Sequence, residues 1–171
     1  MPGNPVVHII DDDDAIRDSL VFLLTSADIK VVAYASADEF MRALPGVTTG
    51  CVVTDIRMPG MGGIDLLRHL KEIGSSLQVI VMTGHGDVPL AVEAMRLGAA
   101  DFIEKPFDDE VFITSVRTAI ANQMQSEEDV ALRSEVQKRI ESLSTRERQV
   151  LEGLVAGHAN KRIAYDLGIS P

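Results

Sequence analysis

From residue 6 onward, short runs rich in Val and Ile alternate with longer amphipathic stretches, and five such pairs can be counted before residue 125. Compact β-branched runs suit buried parallel strands, and the amphipathic segments between them suit crossover helices, so the pattern predicts an open parallel α/β sheet. The expected strands are Val6–Asp11, Ile29–Tyr34, Cys51–Asp55, Gln78–Thr83 and Asp101–Lys105, each compact enough to be buried on both faces. Ile16, Leu20, Leu23 and Leu24 form a helical stripe in the first crossover, and Leu66, Leu67 and Leu70 form one in the third. Gly and Pro punctuate the junctions at Pro59-Gly60-Met61-Gly62-Gly63, Gly84-His85-Gly86, Gly98 and Pro106.

Between Phe107 and Glu152 there is neither Gly nor Pro. Ile113, Val116, Ile120 and Met124 recur at three and four, so the fifth helix is expected to run into a helical linker ending near Ile140, with Gln125 to Asp129 as a polar weak point. A new helix start follows at Ser144-Thr145-Arg146-Glu147, where Ser144 and Glu147 have the spacing of a capping box. Val150, Leu151, Leu154 and Val155 give that helix one apolar face, Gly157 ends it, and Asn160 to Leu167 forms a further short helix. The expected organisation is a domain over 1–124, a linker over 125–142 and the opening part of a second, all-α domain over 143–171. Two short helices and a stub bury too little surface to stand alone, so the second domain is expected to be incomplete.

Charge separates the two parts. Residues 1–125 hold 18 Asp and Glu against 9 Lys and Arg, a net of −9, whereas residues 126–171 hold 8 against 7, a net of −1. A net charge of −10 argues against unaided electrostatic binding of nucleic acid. The single cysteine, Cys51, sits in an apolar run and reads as a small core residue. No signal peptide opens the chain, and no apolar stretch approaches the roughly 18 to 20 residues that span a bilayer, so a cytoplasmic protein without a membrane partner is expected.

The chemistry gathers at the strand ends. The first strand runs into Asp11-Asp12-Asp13-Asp14, and the third ends at Asp55. In an open parallel sheet, ligands bind beyond the carboxyl ends of the strands where the strand order switches. If the first and third strands are neighbours, Asp11, Asp12 and Asp55 converge and call for a hard cation; Mg²⁺ suits an all-oxygen set. Asp14, with Asp13 beside it, is the natural helix cap. The fourth strand delivers the hydroxyl of Thr83, and the fifth delivers Lys105 before Pro106. A carboxylate nucleophile, a divalent metal, a hydroxyl and an ammonium are the parts needed to accept a phosphoryl group. His8, His69, His85 and His158 show no metal-ligand spacing and receive no chemical role.

The set Asp11-Asp12, Asp55, Thr83 and Lys105-Pro106 resembles the receiver domain of two-component response regulators, and Val53-Thr54-Asp55-Ile56-Arg57-Met58-Pro59 resembles its phosphorylation segment. The resemblance implies a doubly wound, flavodoxin-like fold of five strands. It also implies that Asp55 is the phosphoacceptor, that Asp12, Asp55 and the backbone carbonyl of Arg57 hold Mg²⁺, and that Asp11 assists through water. Lys105 and Thr83 would contact the phosphoryl group, and Phe102 would be the switch aromatic; as a strand aromatic alone, Phe102 reads as core packing.

The stretch Leu143 to Leu151, with Gly157, Asn160-Lys161 and Ile163-Ala164, resembles the opening of the LuxR/FixJ-type helix-turn-helix. His85-Gly86-Asp87-Val88-Pro89 and Asp101 to Phe107 carry a likeness to the nitrogen-fixation regulators of that type. The family's recognition helix would follow Ser170, so no base-reading residue is named and DNA binding by these residues alone is expected to be poor. The implied partners are a sensor histidine kinase, a second copy of the chain upon phosphorylation, promoter DNA, and RNA polymerase as a further contact. The dimer face would combine the fourth helix, fifth strand and fifth helix, with Val92 and Arg96 at its surface, unless Val92 packs onto the sheet. Two other readings remain: a stand-alone receiver acting through protein contacts, and an aspartyl-phosphate phosphatase. The second would place a carboxylate where this chain has Arg57. The chain is therefore expected not to be an enzyme.

Overall fold

In the computed structural model, which describes residues 4–47, 49–84 and 87–155, the five expected strands pair in parallel into one sheet. They are β1 (Val6–Ile10), β2 (Lys30–Tyr34), β3 (Cys51–Asp55), β4 (Gln78–Thr83) and β5 (Asp101–Glu104), in spatial order β2-β1-β3-β4-β5. Strands β1, β3 and β4 fill the middle, which is why their side chains are apolar at odd and even positions alike. Val7, Ile9, Val53, Ile80 and Met82 face one layer; Ile10, Val52, Val79 and Val81 face the other.

The expectation that all five strands are buried on both faces is corrected at the two edges. β2 alternates, with Lys30 and Val32 exposed, and β5 buries Ile103 while exposing Phe102 and Glu104. An edge strand has one sheet neighbour instead of two, and its outer side chains reach solvent.

Helices cover both faces. α1 (Asp14–Ser26) and α5 (Asp109–Glu141) enclose one core through Leu20, Leu24, Phe112, Val116 and Ala119. α2 (Ala37–Ala43), α3 (Gly63–Glu72) and α4 (Val88–Arg96) enclose the other through Phe40, Leu66, Leu67, Leu70 and Ala94. Three leucines of α3 are at most 1% exposed. Fully burying each is worth roughly 1.5–3 kcal/mol, so Leu67→Ala, with the cavity it opens, would cost about 2–5 kcal/mol.

Asp13, not Asp14, caps α1, because its Oδ1 accepts from the backbone amides of Ala15 at 2.9 Å and Ile16 at 3.3 Å. Asp14 is already inside the first turn and pairs with Arg17.

The buried face of α5 is also one residue out of the expected phase. Phe112, Ser115, Val116, Ala119 and Gln123 are inward, Ile113 and Ile120 lie at the margin, and Met124 is exposed. Gln123 accounts for the shift. Its Oε1 accepts from the Gly50 amide at 3.3 Å, and its Nε2 donates to Ser76 Oγ at 3.4 Å and Glu127 Oε1 at 2.7 Å. A satisfied amide can be buried, whereas a search for apolar spacing passes over it.

The helix is continuous from Asp109 to Glu141, through the polar segment expected to be its weak point. The chain divides into two compact units with the boundary between Glu127 and Glu128. In the second unit, α6 (Thr145–Val155) opens with the expected capping box: Glu147 N donates to Ser144 Oγ and Ser144 N to Glu147 Oε1, both at 3.2 Å. The backbone and side-chain hydrogen bonds from Ser144 hold the Glu147 carboxyl below its ordinary value. Within the described residues of α6, Val150 and Leu151 are half-buried while Leu154 and Val155 are exposed. The expected helix from Asn160 to Leu167, Gly157, His85 and His158 lie outside the described residues.

Candidate functional site

The strand order reverses between β1 and β3, whose register sets Ile10 beside Thr54. The next residues along are Asp11 and Asp55. The loop after Asp55 is held to the sheet by Ile56 N donating to Met82 O at 3.0 Å, and by Gly63 N donating to Ile56 O at 2.9 Å. Gly63 is required there, because a Cβ would run into the carbonyl of Asp55.

One ligand oxygen from each of Asp11, Asp12 and Asp55 lies within 4.8 Å of the others. Asp11 is almost fully buried, Asp55 is half-buried and Asp12 is exposed. Asp11 is locked in place: its Oδ1 accepts from Asp13 N at 2.9 Å, and its carbonyl accepts from Arg17 at 2.6 Å. Lys105, immediately beyond β5, sends Nζ to Asp11 Oδ2 at 3.0 Å and to Asp55 Oδ1 at 3.3 Å. Its backbone amide donates to Thr83 O at 2.8 Å, which ties the ends of β4 and β5 to the same level. The Lys105–Pro106 peptide is cis.

The electrostatics are unbalanced. Burial, with added repulsion from Asp11 and Asp12, raises the Asp55 carboxyl above its ordinary value, and Lys105 only partly opposes this. Burial pulls the Lys105 ammonium down, but its bond to Asp11 and the charges of Asp55 and Asp11 more than offset it, leaving it raised. Three carboxylates thus converge where one ammonium pairs with two of them, Asp11 and Asp55. The donors are hard oxygens and Asp12 opens to solvent, so the set fits a divalent cation that retains water, such as Mg²⁺.

The structure therefore brings together Asp11, Asp12, Asp55 and Lys105, with Thr83 at the adjoining strand end. It does not bring Phe102 into the core. That side chain is 45% exposed on β5, which corrects the packing reading, because the alternation Asp101-Phe102-Ile103-Glu104 runs with Ile103 inward. Val92 is likewise 45% exposed and Arg96 is exposed, so the reading in which Val92 packs onto the sheet is set aside; both belong to the outer surface of α4.

Two arrangements have no counterpart in the sequence reading. Arg57 makes a forked ion pair with Asp87, with Nη2 to Oδ1 at 2.7 Å and Nε to Oδ2 at 3.1 Å. Hydrogen bonding to Asp87 raises the guanidinium, and the reciprocal bond lowers the Asp87 carboxyl. His8 is buried on β1, its Nδ1 3.2 Å from Tyr34 Oη and its ring against Tyr34 and Phe40. Burial holds the His8 imidazole below its ordinary value. Neither arrangement leaves a spacing signal, since the partners are 30 and 26 residues apart.

The family described as response regulator receiver domain matches residues 7–117, and bacterial regulatory proteins of the luxR family match residues 141–171. The chain is 58% identical over 171 residues to the transcriptional regulatory protein FixJ of Azorhizobium caulinodans, covering 100% of this chain and 81% of that protein. Among solved structures, full-length FixJ from B. japonicum matches with a TM-score of 0.70 and 50% identity, over 98% of this chain and 82% of the other. The response regulator StyR matches with a TM-score of 0.81 and 34% identity, over 98% and 85%.

Proposed function

The chain belongs to the response regulators, carrying a receiver domain and a LuxR-type DNA-binding region, and from that membership we propose that Asp55 accepts a phosphoryl group from a sensor histidine kinase to control transcription. The observation that carries this reading is the contact of one ammonium, Lys105 Nζ, with both Asp11 and Asp55 inside a cluster of three carboxylates. An anionic phosphodonor approaches an anionic nucleophile only if charge is supplied from elsewhere.

In the proposed transfer, an Asp55 oxygen forms the new O–P bond as the P–N bond of a phosphohistidine breaks, and the leaving imidazole nitrogen takes a proton from solvent. Lys105 accompanies the phosphoryl oxygens, giving up part of its contact with Asp55. The Thr83 hydroxyl donates to a phosphoryl oxygen once one is present. Asp11, Asp12, Asp55 and the carbonyl of Arg57 would hold Mg²⁺, which supplies the positive charge that Lys105 alone lacks.

Output follows from position. Thr83 ends β4 ahead of α4, and Lys105 ends β5, so a phosphoryl group drawing both inward moves the elements that flank Phe102, Val92 and Arg96. We assign that face to a two-fold dimer, which would present paired DNA-binding regions to promoter half-sites, with RNA polymerase as a further contact. The match to the luxR family over 141–171 disfavours a stand-alone receiver. A phosphatase is disfavoured because residue 57 offers a guanidinium rather than a general acid. No helix among the described residues is long and apolar enough to cross a membrane; action in the cytoplasm is proposed from the response-regulator family alone.

The test is incubation with Mg²⁺ and acetyl phosphate, followed by intact mass and sedimentation. One phosphoryl per chain and a shift from monomer to dimer are expected, with Val92→Asp and Arg96→Glu labelled but monomeric. A fully phosphorylated chain that stays monomeric would remove dimerisation as the output.

A further inference from the structure

Asp87 occupies the residue that opens α4, where an Asp side chain ordinarily accepts a hydrogen bond from the second or third amide of the helix. It makes no such bond. Its carboxylate turns instead to Arg57, taking Nε at 3.2 and 3.1 Å and Nη2 at 2.7 Å. The second position of the helix is Pro89, which has no amide hydrogen, so Leu90 is the donor such a cap would use. The pair spans the two loops that matter to the proposed switch. Arg57 lies two residues after Asp55, and Asp87 begins the helix that carries Val92 and Arg96. The Arg57 side chain is 71% exposed and Asp87 only 14%, so the guanidinium has solvent to swing through while the carboxylate stays beside its helix.

We propose that the Arg57–Asp87 pair is an exchangeable latch: a phosphoryl group on Asp55 draws the Arg57 guanidinium away, and the released Asp87 carboxylate turns to cap α4 at Leu90. The proposal rests on Asp55 being the phosphoacceptor. No covalent bond changes in the exchange; one anion replaces another around the guanidinium. A phosphoryl group offers close to two negative charges and three acceptor oxygens, and it outcompetes a carboxylate for the guanidinium fork. An ion pair whose guanidinium is open to solvent and a side-chain cap are each weak and of similar worth, so a new anion nearby is enough to choose between them. Asp87 is in this sense a positioning residue, acting on α4 and not on the reacting atoms.

The latch is tested by NMR hydrogen exchange at the Leu90 amide in the full chain, with intact mass read on the same samples. With Mg²⁺ and acetyl phosphate, Leu90 exchange in the wild type is expected to slow about fivefold, the ratio that a typical N-cap sustains. Arg57→Ala should show the same slowing with no phosphodonor present. Asp87→Asn, which caps as well as Asp but pairs poorly with a guanidinium, should be protected from the outset and unresponsive, and Asp87→Ala should never be protected. Leu90 exchange unchanged in Arg57→Ala, or unchanged in wild type that the mass shows to be fully phosphorylated, would overturn the latch. Absence of the mass gain itself would instead remove the phosphoacceptor reading, and the trigger with it.

Discussion

Replacing Asp55 by Asn should stabilise the protein in the absence of metal. An oxygen of Asp55 lies within 4.8 Å of one from Asp11 and one from Asp12, and 3.3 Å from Lys105 Nζ. At an effective dielectric of about 20, each repulsion is worth at least ~3.5 kcal/mol and the attraction ~5 kcal/mol. Two repulsions against one attraction leave ~2 kcal/mol unfavourable, before the cost of burying the carboxylate is added. Asn is nearly isosteric and removes the charge, while Lys105 keeps its 3.0 Å contact with Asp11. Thermal unfolding in EDTA at low ionic strength should therefore show Asp55→Asn melting several degrees higher, about 7 °C for ~2 kcal/mol in a unit of this size. Mg²⁺ should raise the wild type more than the variant, so the two curves converge as metal is added. A variant that melts lower than wild type without metal would refute the reasoning, since Lys105 would then compensate Asp55 fully.

Lys105→Ala should act in the opposite direction, costing about 3–5 kcal/mol because buried Asp11 loses its counter-charge, and Mg²⁺ should restore part of that loss in the same melting assay. Asp12→Ala should raise metal-free stability, since it removes one of the two repulsions on Asp55, but abolish the Mg²⁺-dependent rise in Tm; an undiminished rise would remove Asp12 from the ligand set. The imidazole of His8 stands below its unfolded value of 6.5, so its stability contribution is fully present above that pH. As pH falls below 6.5 the unfolded chain binds the proton first, and stability should drop by up to ~1.4 kcal/mol per pH unit until the folded imidazole also titrates. His8→Phe should flatten that slope, as denaturant titrations across this range would show. Ser144→Ala should cost about 1 kcal/mol in α6, read as faster amide exchange at Glu147.

The sheet was legible because each central strand must be apolar on both faces, and that requirement is written locally in Val7–Ile10, Cys51–Thr54 and Val79–Met82. β2 carries β-branched Val31 and Val32 like the central strands but is only partly buried, so residue type alone overstated its burial. The acidic cluster was legible for a topological reason: Asp11 and Asp55 end strands that are neighbours where the sheet order switches. What was hidden depends on contacts distant in the chain. The phase of α5 follows from Gln123 meeting Gly50 and Ser76, and the Arg57–Asp87 pair forms between two loops after different strands. Hydrophobic periodicity carries no record of a polar residue whose partners come from elsewhere. Phe102 failed for a simpler reason, since four alternating residues admit either face until the neighbouring strand is known.

Asp55 is expected to form an acyl phosphate, and to need metal to do so. Treating the protein with acetyl phosphate, reducing with borohydride and sequencing the peptides by mass spectrometry tests this directly, because reduction converts an aspartyl phosphate to homoserine. Homoserine at position 55, formed with Mg²⁺ and absent with EDTA, is the predicted result. Conversion at Asp11 or Asp12, or equal conversion at Asp55 without metal, would contradict it.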